Sequence, residues 1–146
     1  MPATEIVWIL HLAATLYMTG LIWFVQVVHY PLFGQVGDGT YSTYQRAHME
    51  RTTWVVLPPM LVELAASVYL AVVDRPASIP TEEAWIGLTL LVLIWISTFL
   101  VQVPLHNRLA TAFDERVHRS LVRTNWARTL LWTSRSLLTL LWLVAA

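Results

Sequence analysis

Residues 84–103 read AWIGLTLLVLIWISTFLVQV and contain no charged side chain. A helix of about 20 apolar residues is long enough to cross a hydrocarbon core of about 30 Å. Three further apolar stretches occupy residues 5–28, 54–73 and 126–146. The chain is 57% hydrophobic and only 12% charged, too little charge for an ordinary soluble surface. A soluble bundle would also need a polar face on each segment. We therefore predict an all-α integral membrane protein, one domain with four transmembrane spans.

The chain also contains an internal repeat at an offset of 72 residues. Residues 21–23 (LIW) recur at 93–95, and residues 51–54 (RTTW) recur as RTNW at 123–126. Each repeat holds two spans, and an even number of spans preserves orientation across the membrane. The sequence therefore predicts a four-helix bundle built from two duplicated helical hairpins, a parallel pseudo-repeat about an axis along the membrane normal.

The arginines are distributed unevenly between the loops. The loops after the first and third apolar stretches hold Arg46, Arg51, Arg108, Arg116, Arg119 and Arg123, whereas the opposite side holds Arg75. An excess of Arg marks the cytoplasmic side of a membrane. We therefore predict a bacterial inner-membrane protein with cytoplasmic Arg-rich loops and both termini outside.

The first Arg-rich loop, residues 29–53, has a second half without Gly or Pro. Residues 41–51 are therefore predicted to form a short interfacial helix that is separate from the second span. The second span itself contains the adjacent residues Pro58 and Pro59. Proline removes a backbone donor, so we expect a kink or freed carbonyl groups at this point.

Two opposite charges lie at matching positions of the repeat, Glu63 and Arg135. Both fall near mid-depth of their predicted spans, where an ionisable group is costly and by default marks a functional site. A substrate or proton site is one interpretation, and an ion pair that locks the second and fourth helices is the other. Arg128 lies only two residues past Trp126, so its alternative role is to extend toward the membrane surface.

Four histidines are predicted on the cytoplasmic side, the three metal-ligand candidates His29, His48 and His106, and also His118. Imidazole is the commonest transition-metal ligand and the usual proton carrier near neutral pH. The protein therefore has either no cofactor or a metal or haem held by these three residues. The competing interpretation is that they are ordinary interfacial histidines.

Composition excludes several other classes of function. The chain has no cysteine, which rules out iron–sulfur clusters and thiolate chemistry. Its formal net charge is zero, and no basic patch reaches the density that nucleic-acid binding needs. The expected partners are the lipid bilayer and a small hydrophobic ligand. A non-catalytic homodimeric subunit is a further alternative, since a dimer would supply eight spans.

Three short motifs resemble a known family. Residues 102–109, QVPLHNRL, are similar to the Asn-x-Pro-Leu-Asn-x-x-Leu element of the DUF1772, or anthrone-oxygenase-like, membrane proteins. Residues 29–32 (HYPL) resemble the proline-containing end of their first helix, and residues 125–129 (NWART) resemble the start of their last helix. Gln102 and His106 stand where that element has two asparagines.

The resemblance implies a small membrane oxidoreductase or oxygenase that acts on an aromatic or quinone-like molecule, in some members without metal or flavin. Such chemistry needs a base, and a cation or amide that holds the resulting oxyanion. The catalytic candidates are Glu63, His106, Arg128 and Arg135. The substrate-binding candidates are Gln26, Gln102, Asn125 and Trp132.

Overall fold

The computed structural model describes residues 2–145 and contains four long helices. Their bounds are Ala3–Gln35 (α1), Asp38–Val72 (α2), Thr81–Thr111 (α3) and Glu115–Ala145 (α4). No strand occurs in this range, so the predicted all-α class is confirmed. The first three helices are long and apolar enough to cross a membrane. The helix of the predicted fourth span, α4, is not among these three, and the last residue of that predicted span, Ala146, lies outside the described residues.

The helices form an antiparallel bundle whose exterior is more apolar than its centre. Helix α1 packs against α2 and α4, and α3 packs against the same two helices. Large apolar side chains cover the outside, among them Trp54, Leu100 and Val144, which are 77%, 72% and 86% exposed. Buried positions include many polar side chains. This inside-out distribution is what a bilayer favours, because apolar surface faces lipid and polar groups face one another.

Helices α1 and α3 share an unusual local feature. A π-helical turn occupies Val25–His29 in α1 and Thr98–Gln102 in α3. In each case one residue follows, and then a proline, Pro31 or Pro104. Proline has no backbone N–H and disturbs the regular bonding of the preceding turn, which explains the wider turn at this point. The extra residue in each turn changes which side chains face the bundle centre beyond it.

Helix α2 differs from the prediction made for it. Residues 41–51 are helical, as expected, but they are not separated from the second span by a loop, because α2 is one helix of 35 residues that begins at Asp38. It continues through Pro58 and Pro59. At about 1.5 Å per residue it is far longer than a hydrocarbon core is thick. Its first turns therefore extend beyond an apolar layer. They place residues that were predicted to lie in a loop beside α1 and α3.

A three-residue connection joins α3 to α4, and Asp114 ends it. Its Oδ1 accepts hydrogen bonds from the backbone N–H groups of Val117, at 3.0 Å, and Arg116, at 2.8 Å. These donors, which have no intrahelical partners, hold the pKa of the Asp114 carboxyl below its usual range. The cap fixes where α4 begins and so sets the depth at which its buried polar side chains lie.

Candidate functional site

A cavity of about 290 Å³ lies between α1, α2 and α3. Most of its wall is apolar, from side chains such as Met18, Ile22, Val56 and Met60. The volume is at the lower end of the range for small-molecule sites, which starts at about 300 Å³. A molecule of one to three fused rings matches this space. The polar groups gather toward the C-terminal ends of α1 and α3 and the N-terminal halves of α2 and α4.

Two histidines line the cavity and are held from behind by other polar side chains. His106 Nε2 lies 2.8 Å from the Tyr30 hydroxyl, and its Nδ1 lies 2.8 Å from Gln45 Nε2. His48 Nδ1 lies 2.9 Å from His29 Nε2 and 3.0 Å from the Thr52 hydroxyl. His48 Nε2 makes no hydrogen bond within residues 2–145. One ring nitrogen of His48 is thus free for a ligand, whereas both nitrogens of His106 are engaged.

Arg128 lines the same cavity from α4. It is 5% exposed, so the proposed extension of its side chain toward the membrane surface is wrong. Its Nη1 donates to Asn125 Oδ1 at 3.1 Å, and its guanidinium lies 5.1 Å from the centre of the Trp132 ring. Asn125 Nδ2 in turn donates to Gln26 Oε1 at 2.9 Å, and Gln26 Nε2 donates to the Val122 carbonyl at 3.1 Å. This chain of amides holds the cation in place.

Several buried polar atoms of the cavity wall have no partner. The indole N–H of Trp95, Oε1 of Gln102 and Nε of Arg128 are buried, and they make no hydrogen bond within the described part of the chain. Leaving such a group unpaired costs about 1–3 kcal/mol each. Three of them around one cavity indicate a space that accepts a polar ligand group or water.

The cavity reaches the outer flank of the bundle between α2 and α3. Leu57 on α2, and Phe99 and Val103 on α3, line it and are also 41%, 56% and 38% exposed. The side chains at this opening are apolar. Access is therefore sideways through the flank, and the polar groups lie deeper inside.

A second polar centre lies outside the cavity wall, at the middle of the bundle. Arg135 Nε donates to Glu63 Oε1 at 3.0 Å, and both side chains are almost fully buried. Glu63 also accepts hydrogen bonds from the Thr15 hydroxyl at 3.0 Å and from the Trp132 indole at 3.1 Å.

The other two guanidinium nitrogens of Arg135 also have partners. Its Nη2 donates to the Ser67 hydroxyl at 3.0 Å, and its Nη1 donates to the Gly87 carbonyl. Nη2 also lies 3.4 Å from His11 Nε2. The ion pair thus joins α2 to α4, with further bonds to α1 and α3. Every helix contributes to this centre, which is the arrangement expected of a structural lock.

The sequence-predicted residues separate into two groups in space. His48, Gln102, His106 and Arg128 line the cavity. The others lie behind it or at the bundle centre, namely Gln26, His29, Glu63, Asn125, Trp132 and Arg135. Gln26 and Asn125 bond to each other and lead to Arg128, so they position the cation.

The histidine cluster is compact. The ring centres of His29 and His48 are 4.7 Å apart, and those of His48 and His106 are 5.4 Å apart. Within residues 2–145, no group of three or more His, Cys, Asp or Glu side chains is arranged to hold a metal ion. His29 and His48 use facing nitrogens for a hydrogen bond to each other, which is a different arrangement from ligands that converge on an ion.

Sequence reasoning missed Tyr30, Gln45, Thr52 and Trp95 as parts of this site. Gln45 was assigned to a short interfacial helix and Thr52 to the loop around it, and only the continuous α2 brings them beside the histidines. Tyr30 lies between a π turn and Pro31. The sequence feature that could have identified it is a polar aromatic residue directly before a proline inside a helix. Trp95 could have been identified from the internal repeat, in which it occupies the position that matches Trp23.

Comparisons with known proteins identify no relative: no family model, curated protein or solved structure matches this chain.

Proposed function

We propose that this protein is a membrane-embedded oxidoreductase that takes a small hydrophobic aromatic or quinone-like molecule from the bilayer into the lateral cavity. The observation that carries the proposal is the cavity itself, an apolar space of about 290 Å³ that ends at His48, His106, Tyr30 and Arg128. The resemblance of residues 102–109 to the anthrone-oxygenase-like element supports the same substrate class. The apolar opening between α2 and α3 suits a substrate dissolved in lipid.

The reaction that fits these groups is oxygenation of an activated methylene. Base-assisted loss of a proton from a hydroxyanthrone-type substrate gives a delocalised oxyanion, which then reacts with dioxygen. The balanced outcome is one CH₂ and one O₂ converted to one C=O and one H₂O. A positioned base contributes about 10²–10⁴-fold to such a step, and a fixed cation stabilises the charge that forms. In this proposal Arg128 pairs with the oxyanion.

His48 is the base in this proposal. Its Nε2 makes no hydrogen bond within the described residues, and its Nδ1 is oriented by His29, at 2.9 Å. With the proton on Nδ1, His48 donates to His29 and keeps a lone pair on Nε2. The arrangement of a base oriented by a further group is common to many acid–base sites. In this proposal the Tyr30 hydroxyl, which is positioned by its bond to His106, contacts the substrate oxygen, and the pair Glu63–Arg135 holds the bundle together.

We expect His48→Gln to lower turnover on the order of 100-fold, because glutamine fills the space without taking a proton. The assay uses protein in lipid nanodiscs with 1,8-dihydroxyanthrone, and follows oxygen uptake together with the absorbance of the quinone product. His118→Gln is the matched control, since His118 bonds to the Tyr30 carbonyl, at 2.8 Å, and does not line the cavity. Wild-type turnover no faster than protein-free nanodiscs would refute the oxygenase proposal.

The orientation in the membrane is part of the same proposal. Both termini and the turn between α2 and α3 face outward, and the Arg-rich inner ends face the cytoplasm of a bacterial cell. The chain has no cysteine, so single cysteines report this directly. We expect a membrane-impermeant maleimide to label Ala77→Cys in intact cells and Ala112→Cys only after lysis, since both positions are exposed. The reverse pattern would contradict the orientation. Homodimer formation stays a prediction.

A further inference from the structure

We propose that the cavity binds its ligand as an anion, so that its ligands are acidic amphiphiles: small apolar molecules with one ionised oxygen, such as a phenolate or enolate, that pairs with Arg128. This inference rests on the proposed function for the place of the site. It adds the charge state of the ligand, and it holds for ligands that are not turned over.

The first argument is the balance of charge inside the bundle. Three charged side chains are buried in the described part of the chain, Glu63, Arg128 and Arg135. Glu63 and Arg135 neutralise each other across 3.0 Å. Arg128 makes no ion pair within residues 2–145, which leaves one uncompensated positive charge at the cavity. A buried charge without a partner is strongly unfavourable, and in an apolar layer it marks a site whose partner arrives from outside.

The neighbours of Arg128 do not replace an anion. A guanidinium carries five N–H donors, and Arg128 uses one of them for a hydrogen bond from Nη1 to Asn125 Oδ1 at 3.1 Å. The Trp132 ring at 5.1 Å contributes a weaker cation–π attraction. The Tyr30 hydroxyl is a further hydrogen-bonding neighbour of the guanidinium, but a phenol does not supply the charge of a carboxylate. Arg128 Nε remains buried and unpartnered, which leaves donors for a ligand oxygen.

The second argument is that Arg128 is held in place before any ligand arrives. The Val122 carbonyl accepts from Gln26 Nε2, so Gln26 presents its oxygen to Asn125. Asn125 donates to that oxygen and so presents its own oxygen to Arg128. The bonding of each amide therefore determines the orientation of the next. A cation fixed in this way loses little conformational entropy on binding, which favours the ligand that matches its charge.

The third argument comes from the other groups of the cavity. Apart from the polar end near Arg128, the wall is built mainly from aliphatic side chains, Met and Trp95. A small inorganic anion would leave this apolar volume empty, and a neutral hydrocarbon would leave Arg128 unpaired. Gln102 Oε1 has no hydrogen-bond partner in the described residues, and it can accept from a hydroxyl elsewhere on the ligand. An apolar body with one charged oxygen satisfies both requirements.

A pair of matched probes tests the inference. 2-Hydroxy-1,4-naphthoquinone is an anion at neutral pH, and 2-methoxy-1,4-naphthoquinone is a neutral molecule of nearly the same shape. Binding to the wild-type protein in nanodiscs is measured by isothermal titration calorimetry, with empty nanodiscs subtracted for partition into lipid. We expect the anion to bind about tenfold or more tightly than the neutral probe, the usual scale for a hydrogen bond to a charged group.

Substitutions of Arg128 test whether this residue causes the preference for the anionic probe. Arg128→Met is expected to abolish the preference for the anion while the neutral probe still binds, and Arg128→Lys is expected to retain part of it. Arg119→Met is the control, because the side chain of Arg119 is 61% exposed. This variant should leave the preference for the anion unchanged. Circular dichroism and gel filtration show whether each variant is folded.

Two results would overturn the inference: equal affinity of the wild-type protein for both probes, or an anion preference that survives in folded Arg128→Met. Failure of the proposed oxidation is a separate result. A protein that prefers the anion and yet does not consume oxygen with 1,8-dihydroxyanthrone would retain the anion site and lose the oxygenase assignment.

Discussion

We expect Arg135→Met to lose about 3–5 kcal/mol of unfolding free energy, because the change leaves a buried carboxylate without its cation. Glu63 is 0% exposed and would retain only the Thr15 hydroxyl and the Trp132 indole as donors. The Ser67 hydroxyl and the Gly87 carbonyl would each lose a hydrogen bond from the guanidinium. The measurement is chemical denaturation of the purified protein in mild detergent, followed by circular dichroism.

A double variant separates the charge from the packing. Glu63→Leu combined with Arg135→Met removes both charges, and we expect it to recover much of the stability lost in the single variant. Arg123→Met is the control for removal of an arginine, since Arg123 is exposed on the same helix. A single variant as stable as the wild-type protein would contradict the role of this ion pair as the lock of the bundle.

We expect Arg128→Met to behave in the opposite way. Arg128 is buried and has no carboxylate partner in the described residues, so its replacement by an apolar side chain of similar length removes an unfavourable charge. The unfolding free energy should therefore stay the same or rise. Turnover of 1,8-dihydroxyanthrone should fall about 100-fold or more, the usual loss when a fixed group that stabilises an oxyanion is removed.

The two measurements on Arg128→Met must be made on the same preparation. A folded, stable and inactive variant is the expected result, because a functional site commonly retains groups that reduce stability. A loss of stability as large as that of Arg135→Met would instead assign Arg128 to the structural core. Unchanged turnover would remove Arg128 from the reaction. The comparison is direct because both arginines lie on α4, two turns apart.

Much of the architecture follows from local properties of the chain. The apolar stretches predict the helices, since apolarity over about 20 residues is read without knowledge of the fold. An ion pair of Glu63 with Arg135 was one of two interpretations of the sequence, because the repeat relates their positions and an unpaired charge at that depth is costly, and the structure contains this pair. The helix at residues 41–51 was predicted, but its continuity with the second span was not, since the glycines and the Tyr-Pro pair near residue 30 suggested a long loop.

The site depended on contacts that no local pattern encodes. His29, His48 and His106 are far apart along the chain and meet because the C-terminal ends of α1 and α3 pack against the N-terminal half of α2. The π turns in α1 and α3 rotate the residues that follow them about the helix axis. A regular α-helical period therefore does not predict which of those side chains face the bundle centre.

The sequence by itself determined an all-helical chain with apolar helices and a pair of opposite charges at its centre, because hydrophobicity and charge are properties of single residues and short segments. Only the tertiary structure decided that Arg128 is buried without a carboxylate beside a cavity while Arg135 is fully paired. Both are arginines on the same helix in apolar surroundings. The difference between them is which side chains the neighbouring helices bring within bonding distance, and that is set by packing.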